Sequence, residues 1–405
     1  MPNREPSTGS SPLFLIWLTV FIDLVGFGIV IPILPLYAER QGATPFQVGL
    51  LLAGYSAMQF IFAPILGSLS DRIGRKTVLA ISLYGTAIAS VTLGFASGLP
   101  HALWLVFLAR FVDGITGANI PTAQAYVADI TAPEKRAEAL GLIGMAFGLG
   151  FVLGPAIGGL LASINVALPF YVVGVVAVLN ATAMLWRLPE PERHLSFATE
   201  ARSRFERLTA AFRNPNLRLL LVVVLLSTIA FAGMEATLAL LLKDRFGYDE
   251  SHAAYLFAFV GIVMAVVQGV LVGRLVEKTG ERPLVVFGTL FLAVGLALAG
   301  LSVAVSFGLL LGALGLLALG SGLQNPSVTA LVSRLTPASQ QGTSLGVAQS
   351  MSSIGRIAGP LLGGALYAVG WAAPYFAGAI LMIAALLLAI VFNARTHSTV
   401  ANASS

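Results

Sequence analysis

The sequence predicts an all-α membrane protein: twelve transmembrane helices in two pseudo-symmetric six-helix bundles. Three observations carry this. Hydrophobic residues make up 57% of the 405 and charged residues only 10%, against roughly 25% charged in soluble domains. The apolar positions, about 231 of them, come close to what twelve spans at ~20 residues each take. The second half of the chain repeats the first at a nearly constant offset. Cysteine is absent, which excludes a disulfide scaffold and a cysteine metal site. The apolar content excludes disorder.

The spans fall at 13–37, 46–69, 77–97, 102–128, 138–162, 166–186, 218–242, 252–276, 283–303, 306–333, 344–369 and 372–394. All are long apolar runs without the period-two alternation of a barrel strand. The first is too long for a signal peptide and lacks a small-residue cleavage site, so it is expected to be retained. With the N-terminus inside, eighteen of the 23 Lys and Arg fall on the inner side: Arg4, Arg72, Arg75, Lys76, Lys135, Arg136, seven arginines from Arg187 to Arg218, Arg274, Lys278, Arg282, Arg334 and Arg395. Arg40, Lys243 and Arg245 fall outside, and Arg110 and Arg356 lie within spans. This asymmetry predicts a multi-pass protein with both termini cytoplasmic. The net charge of +5 thus reports orientation and a mild attraction to anionic lipids, not nucleic-acid binding.

The longest polar stretch, 188–217, reads as a cytoplasmic linker between bundles at 1–187 and 218–405, with an amphipathic surface helix expected around 202–212. On either side of it, Gly141-x8-Gly150-x3-Gly154-Pro155-x2-Gly158-Gly159 recurs as Gly346-x8-Gly355-x3-Gly359-Pro360-x2-Gly363-Gly364, an offset of 205. Pro121 maps to Pro326 and Thr131 to Thr336 at the same offset, and Gly67–Lys76 maps to Gly273–Arg282 at 206. One offset held over so many Gly and Pro positions implies two halves of like orientation.

The stretch Ser70–Lys76 reads either as a solvated basic loop or as a latch. In the latch reading Gly67 admits a neighbouring helix, Asp71 caps a helix N-terminus or meets a cation, and Arg75 reaches Asp129. Such a cluster is made in one conformer and broken in another. The second copy has Glu281 where the first has Arg75, so the two are expected to differ. In span five, Gly150, Gly154 and Gly158 stand four apart and bare one helix face, and Pro155 removes a backbone donor. That face is expected either simply to pack tightly or to form a water-excluding seam against the other half.

An ionisable group inside a bilayer costs several kcal/mol unless partnered, so each is a functional candidate. These are the acids Asp23, Asp113 and Glu235 and the bases Arg110 and Arg356. At ~1.5 Å per residue, Asp23 lies near the midplane of span one and Glu235 towards the outer side of span seven. Arg110 and Asp113 are three apart and share a helix face. A carboxylate in a low-dielectric cleft favours its protonated form and a nearby Arg reverses this. An acid whose distance from Arg110 changes between conformers would therefore bind and release protons. The structural alternative is a satisfied polar contact between spans. Tyr55, Met58, Gln59, Asn119, Gln124, Asn180, Gln268, Asn325 and Gln349 are candidates for a plastic cavity or for ordinary interhelix packing. The four His lie in loops or tails, and no metal or phosphate motif is present.

Gly67-x-Leu-x-Asp71-Arg72-x-Gly74-Arg75-Lys76, Arg110-x3-Gly114-Ile-Thr-Gly-Ala118, Ile22-Asp23-x2-Gly26-x-Gly28-x3-Pro32-x2-Pro35, the Gly-Pro run of span five and Gly273-Arg-x3-Lys-x-Gly280-Glu281 together resemble the major facilitator superfamily. Within it they resemble the twelve-helix drug/proton antiporters, including the tetracycline exporters. The resemblance covers nearly the whole chain. It implies a monomeric, proton-coupled antiporter of the cell inner membrane that exports small lipophilic drugs by alternating access and confers antibiotic resistance. It implies no cofactor beyond the proton, and Asp23 as the principal proton and substrate-charge site. Asp113 stands where the family often has Gln or Ser. Spans three and nine carry no acid where the tetracycline exporters do, which points to multidrug rather than tetracycline export. The alternative within transport is export of a metabolite, sugar or lipid. A membrane enzyme would need a nucleophile–base pair or metal ligands, and an ATP-driven pump a nucleotide-binding domain. The sequence offers neither.

Overall fold

The computed structural model describes residues 10–132, 135–191, 212–337 and 340–401. The described residues contain no strand. The first half contributes α1 (Ser10–Arg40), α2 (Pro45–Ile73), α3 (Arg75–Ala96), α4 (Leu103–Thr116), α5 (Ile120–Ile130), α6 (Arg136–Ala162) and α7 (Leu168–Arg187). The second contributes α8 (Pro215–Phe246), α9 (Glu250–Val266), α10 (Val272–Thr279), α11 (Glu281–Ser302), α12 (Phe307–Arg334), α13 (Gln341–Tyr367) and α14 (Ala373–Ala401). Two expected spans are each composite. Span four breaks between α4 and α5 at 117–119, just before Pro121, and span eight joins α9 to α10 through a π-helical segment, Val267–Leu271.

Local chemistry sets the ends. Thr44 and Gln47 form a reciprocal capping box at the start of α2, satisfying two orphan donors. Asn214, Asp249 and Ser306 cap α8, α9 and α12 with their side chains. Gly74 (φ +108°) and Gly280 (φ +76°) each form a one-residue link, α2 to α3 and α10 to α11. Their positive φ is open to glycine at little cost. The expected loop at Ser70–Lys76 is therefore hardly a loop. Ser70–Ile73 is the last turn of α2 and Arg75 opens α3, because Gly74 alone turns the chain.

Eleven helical spans among the described residues are long and apolar enough by composition alone to cross a membrane, and α13 runs between the same two faces as the twelfth. The remaining candidate, α13, has 27 residues. Ser344, Gln349, Ser350, Ser352, Ser353 and Arg356 dilute its apolar character. Outward stripes such as Ile81, Ile88 and Phe95 on α3, and Ile380, Ile383 and Leu387 on α14, are exposed, as lipid-facing surfaces are. The surface helix expected around 202–212 lies outside the described residues except Phe212, which packs on the core beneath α8.

Helix ends alternate between two faces. One, here the basic face, carries Arg72, Arg75, Lys76, Arg187, Lys278, Arg282 and Arg334. The other carries the turns near 40–45, 96–103, 162–168, 246–250, 302–307 and 367–373. Close backbone approach organises each half. α1 packs on α6 with Gly28 against Gly154, and α8 packs on α13 with Gly233 against Gly359 and Gly363. Both pairings fall at the 205-residue offset. The halves meet mainly through α2 on α13 and α6 on α9. There Gly49 abuts the Pro360 carbonyl, Gly364 the Pro45 carbonyl, and Gly159 the Ala254 side chain. Two ion pairs cross between halves at the non-basic face, Arg40 to Glu250 and Lys243 to Glu39, both at 2.7 Å.

A Cβ on Gly154 would lie 2.8 Å from the Val25 carbonyl oxygen, and one on Gly359 2.6 Å from that of Ile229, whereas one on Gly141 or Gly346 meets nothing within 4 Å. Gly154→Leu or Gly359→Leu is expected to cost roughly 1–3 kcal/mol or more through overpacking, read as a lowered unfolding temperature in detergent. Gly141→Leu and Gly346→Leu should leave it unchanged or raise it slightly.

Candidate functional site: a charged cluster and a cavity

The first half holds a compact charged cluster. Arg110 on α4 is buried to 1% exposure, and its Nη1 donates to Asp113 Oδ2 at 2.7 Å one turn along. Its guanidinium carbon stands 4.2 Å from the centre of the Tyr55 ring of α2, a cation–π geometry. Asp23 on α1 accepts from Asn119 Nδ2 at 2.6 Å. Asn119 can reach it because span four breaks there, at the start of α5. Asp23 Oδ1 and Arg110 Nε and Nη2 are buried without a hydrogen-bond partner among the described residues. Asp23, Tyr55, Asp113, Thr86 and Ser90 line a small pocket of about 20 Å³ together with Phe27. Asp23, held by Asn119 of span four, and the Arg110–Asp113 pair thus stand in one cluster, with Tyr55 against Arg110 and in the pocket with both acids.

The second half supplies most of a far larger cavity, of about 560 Å³. Its walls are helical stripes at three- and four-residue spacing: 224, 227, 228, 231 and 235 on α8, 257, 260, 261, 264 and 268 across α9 and the π-helical segment, 321, 324, 325, 328, 329 and 332 on α12, and 345, 348, 349, 352 and 356 on α13. The first half adds Phe27, Gly28 and Ile31 from α1 and Gly148, Phe151 and Pro155 from α6. Glu235 and Arg356 are the charged residues of the lining. Gln324 is buried and donates to Ser227 (3.0 Å) and Thr289 (2.7 Å). Near the basic face the lining residues Thr329 and Gln349 are exposed, whereas Leu238 and Val260, further in, are buried. The cavity therefore opens to the basic face. It stops eight residues short of the far end of α8, about 12 Å, behind the two ion pairs and the glycine contacts.

Phe27 lines both spaces. Its ring centre is 5.5 Å from that of Tyr55 and 5.9 Å from that of Phe151. It forms the partition between the charged cluster and the cavity. Asp23 is accordingly not part of the large cavity, contrary to the expectation that one acid serves both proton and substrate.

Of the nine expected cavity residues, Gln268, Asn325 and Gln349 line the large cavity and Tyr55 the small one. The rest are placed elsewhere. Met58 packs on Gly114. Gln59 donates to the Gly117 carbonyl at 3.0 Å. Asn119 holds Asp23. Asn180 donates to Thr19 Oγ1 at 2.9 Å inside the first half, and Gln124 is exposed outside the lining. In span five, Gly150, Gly154 and Gly158 pack on Leu24, Gly28 and Ile29 of α1 within the same half. They do not form a seam with the other half, because the bare face turns inward. Gly159 does meet α9, Pro155 lines the cavity, and Gly141 stands free.

At the basic face Arg75 pairs with Asp129 as expected, and also reaches Asp71 at 3.4 Å. Gly67 has open space where a Cβ would sit, so no helix among the described residues packs on it in this conformer. Asp71 is 63% exposed in the last turn of α2 and caps nothing. The cap of α3 is Glu190, whose carboxylate accepts from the Arg75 backbone N–H at 2.6 Å and closes over Gly74. Tyr126 donates to the Pro189 carbonyl beside it at 2.6 Å. Arg72 lies exposed in the last turn of α2 and Lys76 half-buried in the first turn of α3. In the second half Glu281 pairs with Arg334 at 2.7 Å. Residues 281 and 334 are the repeat partners of 75 and 129, so the ion pair is kept with its charges exchanged. The 205 offset could have revealed Arg334, and Gln324 as the counterpart of Asn119. No sequence signal marks Phe27.

A double-mutant cycle between Arg75→Ala and Asp129→Ala, read by thermal unfolding, should give a coupling on the order of 1 kcal/mol. The cycle between Glu281→Ala and Arg334→Ala should give the same sign, since both pairs join the same two elements of their half.

The whole chain compares closely with known transporters. The model of the Major Facilitator Superfamily matches residues 16–283 and 267–405. The chain is 31% identical to the tetracycline resistance protein, class B, of Escherichia coli, over 85% of this chain and 86% of that protein. It is 30% identical to multidrug resistance protein 1 of Bacillus subtilis, over 95% and 97%. Its structure resembles that of the human organic anion transporter TETRAN with a TM-score of 0.67 at 26% identity, covering 93% and 98% of the two chains. With a helical fold, a cavity between two repeated halves and these relatives, the chain belongs to the Major Facilitator Superfamily and is a multi-pass membrane transporter.

Proposed function

We propose that this transporter is a proton-coupled antiporter that exports small lipophilic drugs from the cytoplasm by alternating access. The observation that carries this reading is the separation of a buried acid–arginine cluster from a large apolar cavity by one shared side chain, Phe27. The cluster suits protons: Asp23 has one oxygen held by Asn119 and the other without a partner, and Arg110 and Asp113 stand beside it. The cavity suits an amphipathic organic molecule, with Phe27, Phe151, Phe231, Phe257, Met234 and Met264 among amides and hydroxyls. Aromatic and Met side chains repack around different apolar shapes. The named activities of the bacterial relatives, tetracycline and multidrug resistance, favour drug export.

In this reading the basic face is cytoplasmic, following the positive-inside rule, in the inner membrane, and the conformer is open to the cytoplasm. The bundles are 1–187 and 218–405, joined by 188–217, and they rock about the cavity. The protein acts as a monomer and uses no cofactor beyond the proton. Opening to the outside requires Arg40–Glu250 and Lys243–Glu39 to separate.

Two measurements test this. In proteoliposomes with an internal pH dye, adding a lipophilic drug should release a proton flux that Asp23→Asn reduces at least tenfold. Drug movement without proton flux in the unaltered protein would exclude antiport. Because the chain has no cysteine, Leu238→Cys reports access to the far end of the cavity without background. Adding Glu39→Gln and Glu250→Gln should raise its labelling from the non-basic face severalfold, as two partly exposed pairs worth roughly 0.2–1 kcal/mol each are removed.

A further inference from the structure

Glu235 and Arg356 are the charged residues facing the large cavity. They face the same space from α8 and α13, yet no direct ion pair joins them. Opposite charges brought out of water ordinarily pair directly, because each otherwise keeps part of its desolvation cost. Here packing holds them apart. Gly355 meets Thr228 and Gly359 meets Ile229 where α13 lies on α8, so Arg356 stands level with about residue 229 of α8. Glu235 is six residues further along, about 9 Å deeper from the basic face. The lining between them is mainly apolar, with Phe231 and Ala232 on α8, Met264 on α9 and Phe27 from the other half, and its hydroxyl at this depth, Ser321 on α12, is occupied by Asn325. Towards the mouth from Arg356 come Ser352 and Gln349, and beyond Glu235 comes Leu238, which is buried. Read from mouth to floor, the cavity offers amides and hydroxyls, a cation, an aromatic middle and an anion.

We infer that the preferred substrates are zwitterionic amphipaths: molecules with an aromatic core, an anionic group at one end for Arg356 and a protonated amine at the other for Glu235, the amine entering first. This rests on reading the cavity as the substrate site. A molecule bearing both charges compensates both walls as water leaves. One bearing a single charge leaves the other wall charge without a counterpart, and a neutral one leaves both. Complementary charges set selectivity and orientation more than raw affinity. The apolar middle then tolerates varied cores, so breadth of substrate shape and strictness of charge pattern coexist.

The test uses one biaryl scaffold with a piperazine at one end and a carboxylate at the other, in four forms: the free zwitterion, its methyl ester (cation), its N-acetyl derivative (anion) and the doubly blocked neutral compound. Binding is measured on the full-length protein in nanodiscs. The zwitterion should bind at least tenfold more tightly than any blocked form. Glu235→Gln should bring it down to the level of the N-acetyl anion, and Arg356→Gln to that of the methyl ester. Glu235→Asp and Arg356→Lys should keep the order of the four compounds. A neutral form binding as tightly as the zwitterion overturns the inference, as does a uniform weakening of all four compounds in both Gln variants. Proton flux measured with the same four compounds separates the two readings. Flux without a charge preference in binding overturns this inference alone. The preference without any flux overturns antiport and leaves the preference standing.

Discussion

The fold depends on helices that touch backbone to backbone. Apolar helices gain nothing by leaving lipid for one another, so their association rests on close van der Waals contact, which small residues permit. Gly28 on Gly154, and Gly233 on Gly359 and Gly363, bring α1 to α6 and α8 to α13 with no side chain between. These contacts also fix where the charged residues point. Asp23 lies five residues before Gly28 and Glu235 two after Gly233, and Arg356 is three before Gly359. Each charge is held at a set depth by a glycine contact in its own helix.

The charges then divide by half. In the first half they are drawn together: Arg110 pairs with Asp113 and lies over Tyr55, and Asp113 shares a small pocket with Asp23, which Asn119 holds. In the second half Glu235 and Arg356 are kept apart across an apolar middle. A compact cluster with little free volume suits a small ion, whereas separated poles in a wide cavity suit an organic molecule. Phe27, flanked by Gly26 and Gly28, touches both spaces, so motion of α1 is felt in each.

The repeat conserves geometry more faithfully than residue identity. Arg75–Asp129 and Glu281–Arg334 occupy equivalent places with exchanged charges. Only the attraction matters there, not its direction, since both ends of the pair lie in the same half. Glu190 shows the opposite case. It caps α3 beside Gly74, and the chain just past α7 is thereby tied to the link between α2 and α3.

The sequence by itself determined the helical class, the two-half repeat, the positions of the spans to within a few residues, and the identity of the intramembrane charges. These follow from composition, from apolar run length and from an offset that Gly and Pro make visible. It also predicted the Arg75–Asp129 pair, because a signature-like stretch and a helix end supplied opposite charges. Only the tertiary structure decided which candidates share a space. Asp23, Tyr55 and Asp113 fall into one small pocket, while Gln268, Asn325 and Gln349 fall into another with Glu235 and Arg356. It also decided that Gly150, Gly154 and Gly158 face their own half. The physical reason is rotational. Periodicity tells which residues share a helix face, but which neighbour that face meets depends on the rotation and depth of each helix, and those are set by contacts between residues far apart in the chain.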